Sequence, residues 1–162
     1  MLKYLYSQVY TAEVPRELSL GFAVLGCNVH CPDCHSKHTW DINCGNQGIE
    51  LTTEELDRQI ARQPWVSCIL FFGGEWDIHF LENLLLYAKK KYEYRLALYS
   101  GRNFDFFRQT CISSIVDFLK IGSYRKELGG LIYPSTNQRL YRLERGEIVE
   151  DMTPLFWRTN IR

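Results

Sequence analysis

The stretch Val66-Ser67-Cys68-Ile69-Leu70-Phe71-Phe72, stopped by Gly73-Gly74-Glu75, decides the fold. Val66 to Phe72 is an apolar run of strand length, and apolarity on both sides of a strand suits a parallel sheet covered on both faces. Working outward, Asp77 to Lys91 carries Leu81, Leu84, Leu85 and Ala88 at helical spacing. Upstream, Leu51-Thr52-Thr53-Glu54-Glu55-Leu56 opens a helix. Thr52 and Glu55 stand at capping-box spacing, and Leu56 with Ile60 begins an apolar face. Leu18 to Leu25, Arg95 to Tyr99 and Ile115 to Ile121 read as further strands, and Asn103 to Cys111 as a helix capped by Asn103. The order βαβαβαβ argues for an α/β fold. The units are too few for a closed eight-stranded barrel. The expectation is therefore an open partial (β/α) barrel with mostly parallel strands and a short C-terminal extension. Arg139 to Leu143 and Ile148-Val149 would form a hairpin in that extension.

With 162 residues, a single domain over 1–162 is expected. Nineteen basic side chains balance nineteen acidic ones, so no global field favours nucleic acid or an anionic membrane. No apolar run reaches the roughly 20 residues that span a bilayer. The N-terminus also lacks a long apolar leader segment. A cytoplasmic protein is expected, with no nucleic-acid or membrane partner.

Six cysteines in such a chain point to metal or redox chemistry rather than disulfides. Three of them fall in Cys27-Asn-Val-His-Cys31-Pro-Asp-Cys34-His35, spaced C-x3-C-x2-C directly after the first expected strand. Thiolates are the ligands of iron–sulfur clusters, which usually take four. Three would leave one iron of a cubane open, and an open position is where a substrate reacts. The other reading is structural zinc, for which His30, His35, His38 or Cys44 could supply a fourth ligand. No second C-x2-C pair exists in the chain. In α/β folds chemistry gathers at the C-terminal ends of strands, where the cysteine loop, Gly73-Gly74-Glu75, Ser100-Gly101 and Gly122 all fall.

The sequence resembles the radical S-adenosylmethionine superfamily, and within it the activating proteins of anaerobic ribonucleotide reductases. The residues that carry the resemblance run in matching order from about Leu18 to Leu143. They are Cys27 to His35 followed by Thr39-Trp40, then Phe72-Gly-Gly-Glu75, then Tyr99-Ser-Gly101, then Thr136-Asn-Gln-Arg139. The resemblance implies a [4Fe–4S] cluster on Cys27, Cys31 and Cys34 that binds S-adenosyl-L-methionine at its open iron. Reductive cleavage would give methionine and a 5′-deoxyadenosyl radical, which takes hydrogen from a glycine of the reductase's large subunit. A flavodoxin-like protein would supply the electron. Gly73, Gly74 and Glu75 would meet the methionine amino group, with Asp33, Cys34, His35, Ser100 and Lys120 as further cofactor contacts. No catalytic side chain is expected beyond this cluster and cofactor site. Trp76 stands where the family usually has proline, and Asp33 where the superfamily is commonly aromatic and this subfamily has glycine. The alternatives are a radical enzyme acting on another glycyl-radical enzyme or a small metabolite, and a non-enzymatic zinc- or cluster-binding protein. Cys68 and Cys111 read as core residues, and Cys44 as a loop thiol without an essential role.

Overall fold

A computed structural model of the chain describes residues 1–157. Positions 158–162 of the expected single domain lie outside the described residues. In chain order the elements are β1 (Lys3–Tyr10), β2 (Ser19–Val24), β3 (Ile49–Glu50), α1 (Thr53–Arg62), β4 (Cys68–Phe72), α2 (Ile78–Lys91) and β5 (Arg95–Tyr99). The short helices α3 (Phe104–Arg108) and α4 (Ile112–Ile115) follow, then β6 (Phe118–Ile121), β7 (Arg139–Glu144) and β8 (Glu147–Asp151).

All eight strands form one sheet in the order β3-β1-β2-β4-β5-β6-β7-β8. Parallel ladders join β2 to β4, β4 to β5 and β5 to β6. On each side of this centre the ladders are antiparallel. The sheet is open, since β3 and β8 lie at opposite ends of the order. The α/β expectation and the open sheet are met. The balance of strand directions differs from expectation, because β1 and β3 extend one edge and the hairpin β7–β8 continues the other. That hairpin is part of the sheet rather than an appendage. The strand β1 carries no plain sequence signal: its residues alternate irregularly, with Tyr4 buried and Tyr6 exposed.

Strand alternation sorts the core into two faces. Leu20, Phe22, Ile69, Phe71, Leu96, Leu98 and Leu119 point to the helical side, against Leu56 and Ile60 of α1 and Leu81, Leu84, Leu85 and Ala88 of α2. Cys68, Leu70, Ala97, Phe118 and Leu140 point the other way and are covered by Val14 and Met152. Among the described residues no α-helix covers this second face, and only the short 3-10 turn Thr153–Phe156 reaches it, through Phe156. Loops cover its lower end, leaving space beside the strands' C-terminal ends.

Two helix starts follow the caps expected from sequence, at Thr52 and Asn103, and the structure adds a third at Asp77. The Thr52 side chain accepts from the Glu55 N–H, Asp77 from that of Phe80, and Asn103 from that of Phe106. Glu55 does not complete a reciprocal capping box; its buried carboxylate instead accepts the Tyr4 hydroxyl at 2.6 Å. The expected helix over Asn103 to Cys111 is the short α3, a second short helix, α4, takes in Ile115 ahead of β6, and Cys111 is exposed between them rather than in the core. Phe107 and Ile112 take the buried positions on either side of it. Among the described residues no helix is long and apolar enough to cross a membrane.

Candidate metal centre and cofactor cavity

The cysteine loop leaves the end of β2 and closes on itself. The Gly26 amide donates to the Thr39 carbonyl at 2.8 Å, and the Cys27 amide to that of Trp40 at 3.2 Å. Gly26 sits at φ +88°, the left-handed region open to glycine. A Cβ there would lie 2.6 Å from the Trp76 indole nitrogen. Trp76 packs under the neck of the loop and donates to the Leu25 carbonyl at 2.9 Å. This is the packing role of the residue that stands where the proteins this chain resembles usually have proline. Within the loop, His30 and Asp33 also take positive φ. Asp33 at φ 58° occupies a conformation that Asp tolerates better than most residues. The His30 ring stacks on Trp40 at 4.5 Å.

Cys31 is buried and Cys27 and Cys34 are half-buried, all three as free thiols. Two of the sulfurs accept backbone amides: Cys34 from Ser36 and Cys31 from Tyr124, each at 3.3 Å. Amide donors to sulfur are a lever on iron–sulfur sites. Among the described residues no three His, Cys, Asp or Glu side chains gather as they would around one metal ion. A cubane makes a different demand, because each thiolate binds a separate iron. The donor set therefore fits a cluster: three thiols facing one cavity, two carrying amide donors. A further donor lies nearby, since the buried Trp40 indole N–H has no partner among the described residues.

The cavity beside the loop measures about 760 Å³ and lies on the sheet face opposite α1 and α2. Cys27, Cys31, Cys34, His35, Gly73, Glu75, Ser100 and Lys120 all line it. Two residues named from sequence do not. Asp33 is exposed on the outer side of the loop, and Gly74 is buried with its Cα facing Leu2, Val24 and Leu81. Gly73, at φ +87°, has only the Glu75 carboxylate within 4 Å of where a Cβ would be. A ligand can therefore approach this backbone closely.

The polar floor is a connected set. Ser100 Oγ donates to Glu75 Oε1 at 2.6 Å and accepts the Arg102 amide at 3.0 Å. Lys120 Nζ donates to the carbonyls of Gly122 at 3.2 Å and Ser100 at 3.4 Å. Burial pushes the Lys120 ammonium down to about 8, and the negative charges around Cys31 and Glu75 oppose that fall. The site thus offers a buried carboxylate and a nearby ammonium on one wall, and thiols on another.

Sequence reading missed the rest of the lining. Tyr10, Phe72 and Tyr99 form an aromatic wall, with Tyr10 and Tyr99 each packed edge-on to Phe72 at 5.1 and 5.3 Å. Gly21 makes room for it, since a Cβ there would lie 2.6 Å from the Tyr10 ring. Glu13 also lines the cavity, and burial raises its carboxyl above the usual range. Its carbonyl accepts the Tyr99 hydroxyl. Nothing in the polar run Thr11 to Glu17 signals this, because the fold alone turns Val14 into the core and Glu13 toward the cavity. Tyr124 and Gln138 enter from the long segment after β6. The remaining cysteines stay apart. Cys68 is buried and its thiol is pushed up to about 12 by burial. Cys44 is absent from the lining, and its thiol donates to the His38 carbonyl at 3.5 Å.

A family model described as a 4Fe-4S single cluster domain matches residues 18–141. No curated protein and no solved structure matches the chain.

Proposed function

Since the chain belongs to the 4Fe-4S single cluster domain family, we propose that Cys27, Cys31 and Cys34 hold its cluster and that the protein is a radical S-adenosylmethionine oxidoreductase. The observation that carries this reading is the shared cavity. Three thiols, one fewer than a cubane has irons, face a space whose floor presents a carboxylate and an ammonium. An amino acid bearing both charges is the ligand such a floor suits.

A cluster held by Cys27, Cys31 and Cys34 would supply the one electron for reductive cleavage of S-adenosylmethionine, and the radical chemistry that follows would abstract hydrogen. The chain's own residues bind and shield. Glu75 accepts from the methionine ammonium, and Ser100 holds that carboxylate in place from its other side. Lys120 donates to the methionine carboxylate while two backbone carbonyls fix its head. Gly73 lets the ligand approach the backbone. Tyr10, Phe72 and Tyr99 exclude water from the reacting end.

The hydrogen donor in this reading is a glycine of the anaerobic ribonucleotide reductase large subunit, and the electron comes from a flavodoxin-like protein. The resemblance of Cys27 to Trp40 and of Phe72 to Glu75 to that activating subfamily supports the choice. The experiment is anaerobic reconstitution, reduction, and addition of S-adenosylmethionine with the reductase. Formation of 5′-deoxyadenosine together with a glycine-centred paramagnetic signal is expected. A loaded, reduced protein that releases no 5′-deoxyadenosine overturns the enzymatic reading. Release without the glycine signal overturns the assigned partner alone.

A further inference from the structure

We propose that the backbone amide of Tyr124 is a hydrogen-bond donor to the Cys31 ligand that raises the reduction potential of the cluster, which makes Tyr124 a positioning residue. The inference rests on the reading of Cys31 as a cluster ligand. Tyr124 is 93 positions from Cys31 in the chain, yet its N–H lies 3.3 Å from the sulfur. The contrast with Cys34 is instructive. Its donor, Ser36, is two residues away and comes with the loop, whereas the donor to Cys31 has to be delivered by the tertiary fold.

The delivery is built in detail. Gly122 turns the chain out of β6 at φ +97°, and a Cβ there would meet the backbone of Asn137 at 3.2 Å and Gln138 at 3.3 Å. The two ends of the segment from Ser123 to Gln138 are thus pressed together, and side chains tie them. Gln138 Nε2 donates to the Gly122 carbonyl at 3.2 Å, and Asn137 Nδ2 to the Ser123 carbonyl at 3.0 Å. Thr136 is buried, donates to the Gly129 carbonyl at 3.0 Å and accepts the Gln138 amide at 3.1 Å. The run Thr136-Asn137-Gln138 therefore fixes where Ser123 and Tyr124 point. The Tyr124 ring packs edge-on against His35 at 5.3 Å, so one residue braces the loop at both Cys31 and the neighbour of Cys34.

The physical consequence follows from charge. Reduction adds one electron from an external donor to the cluster without making or breaking a bond, and the added negative charge spreads onto the ligand sulfurs. A donor at sulfur stabilises the reduced form more than the oxidised one, which raises the potential.

The test uses the full chain grown with [15N]tyrosine, reconstituted anaerobically and reduced with dithionite. Pulsed paramagnetic resonance is expected to show a 15N coupling that disappears in Tyr124→Phe, whose amide is unlabelled. Redox titration is expected to give a lower midpoint potential for Tyr124→Pro, which lacks the amide hydrogen, and an unchanged one for Tyr124→Ala. A loaded cluster without the tyrosine 15N coupling overturns the inference, as does an equal shift in the Pro and Ala variants. Should Tyr124→Pro not fold, the labelled coupling decides alone. A wild-type chain that takes up no cluster overturns the ligand reading beneath it, a result separate from either of these.

Discussion

Ser100 Oγ stands 2.6 Å from Glu75 Oε1, and the same hydroxyl accepts the Arg102 amide. The two side chains come from the ends of adjacent parallel strands, β4 and β5, and are both buried. A carboxylate held from one side by a hydroxyl presents its remaining lone pairs to the cavity. Ser100→Ala removes that hold and strands a backbone donor. Hydrogen bonds to charged groups contribute about 1.5–3 kcal/mol, so S-adenosylmethionine binding is expected to weaken roughly tenfold or more. Calorimetric titration of the anaerobically loaded protein measures this. An unchanged affinity would remove Glu75 from the cofactor's contacts.

The cysteines divide sharply by environment. Replacing Cys27, Cys31 or Cys34 with alanine is expected to abolish stable retention of about four irons per chain. Cys44→Ser and Cys111→Ser are expected to keep it, because neither thiol lines the cavity. Iron and sulfide analysis after anaerobic reconstitution distinguishes the two groups. Loss of iron in Cys44→Ser would bring that loop into the ligand set.

Gly26 is the tightest point of the loop's neck. Gly26→Ala places a methyl group against the Trp76 indole and forces an L side chain to φ +88°. Strain of this kind costs of order 1–3 kcal/mol. The variant is expected to melt at lower temperature and to lose iron faster on gel filtration. Trp76 reports on the same neck, so its fluorescence is expected to shift in the unloaded variant. A variant with wild-type melting, retention and emission would mean that the neck yields without cost.

Lys120 provides a pH test. Its folded pKa of about 8 lies below the ordinary lysine value of 10.5, chiefly because burial disfavours the charged form. Between those two values the unfolded chain binds more protons than the folded one, so Lys120 makes stability rise with pH across that window. Below about pH 8 the ammonium is charged in both states and its burial cost is fully present. Lys120→Met is therefore expected to be more stable than wild type at pH 7, with the difference narrowing toward pH 10 in chemical denaturation. Ligand binding has the opposite trend: affinity for S-adenosylmethionine is expected to fall as pH rises through about 8 in wild type. A pH-independent difference between the two proteins would show that the ammonium carries no such cost.

Much of this was legible along the chain because it is local. The run from Cys68 to Phe72 is apolar on both faces because its strand is covered on both, and Arg95 to Tyr99 became β5 with the same bounds. Thr52 and Asn103 cap helices through contacts three residues away, which spacing records. The cysteine spacing likewise describes one loop. What spacing does not record is contact between distant segments. The antiparallel strand β1 rests on partners at Ser19 to Val24 and Ile49 to Glu50, and Cys111 is exposed because Phe107 and Ile112 fill the core around it.

Three clustered thiols, a glycine-rich strand end after them, and the α/β order that puts both at the same edge of a sheet are all written along the chain. What surrounds them comes from the packing of distant segments. That packing turned Asp33 and Gly74 away from the cavity and brought Tyr10, Glu13 and Tyr99 to it. It laid Trp76 beneath Gly26, and it carried the Tyr124 amide to Cys31 across 93 positions. The reason is the range of the forces involved. Strand and helix patterns are set by periodic burial and by hydrogen bonds a few residues long, whereas the walls of a cavity are set by which distant segments pack together.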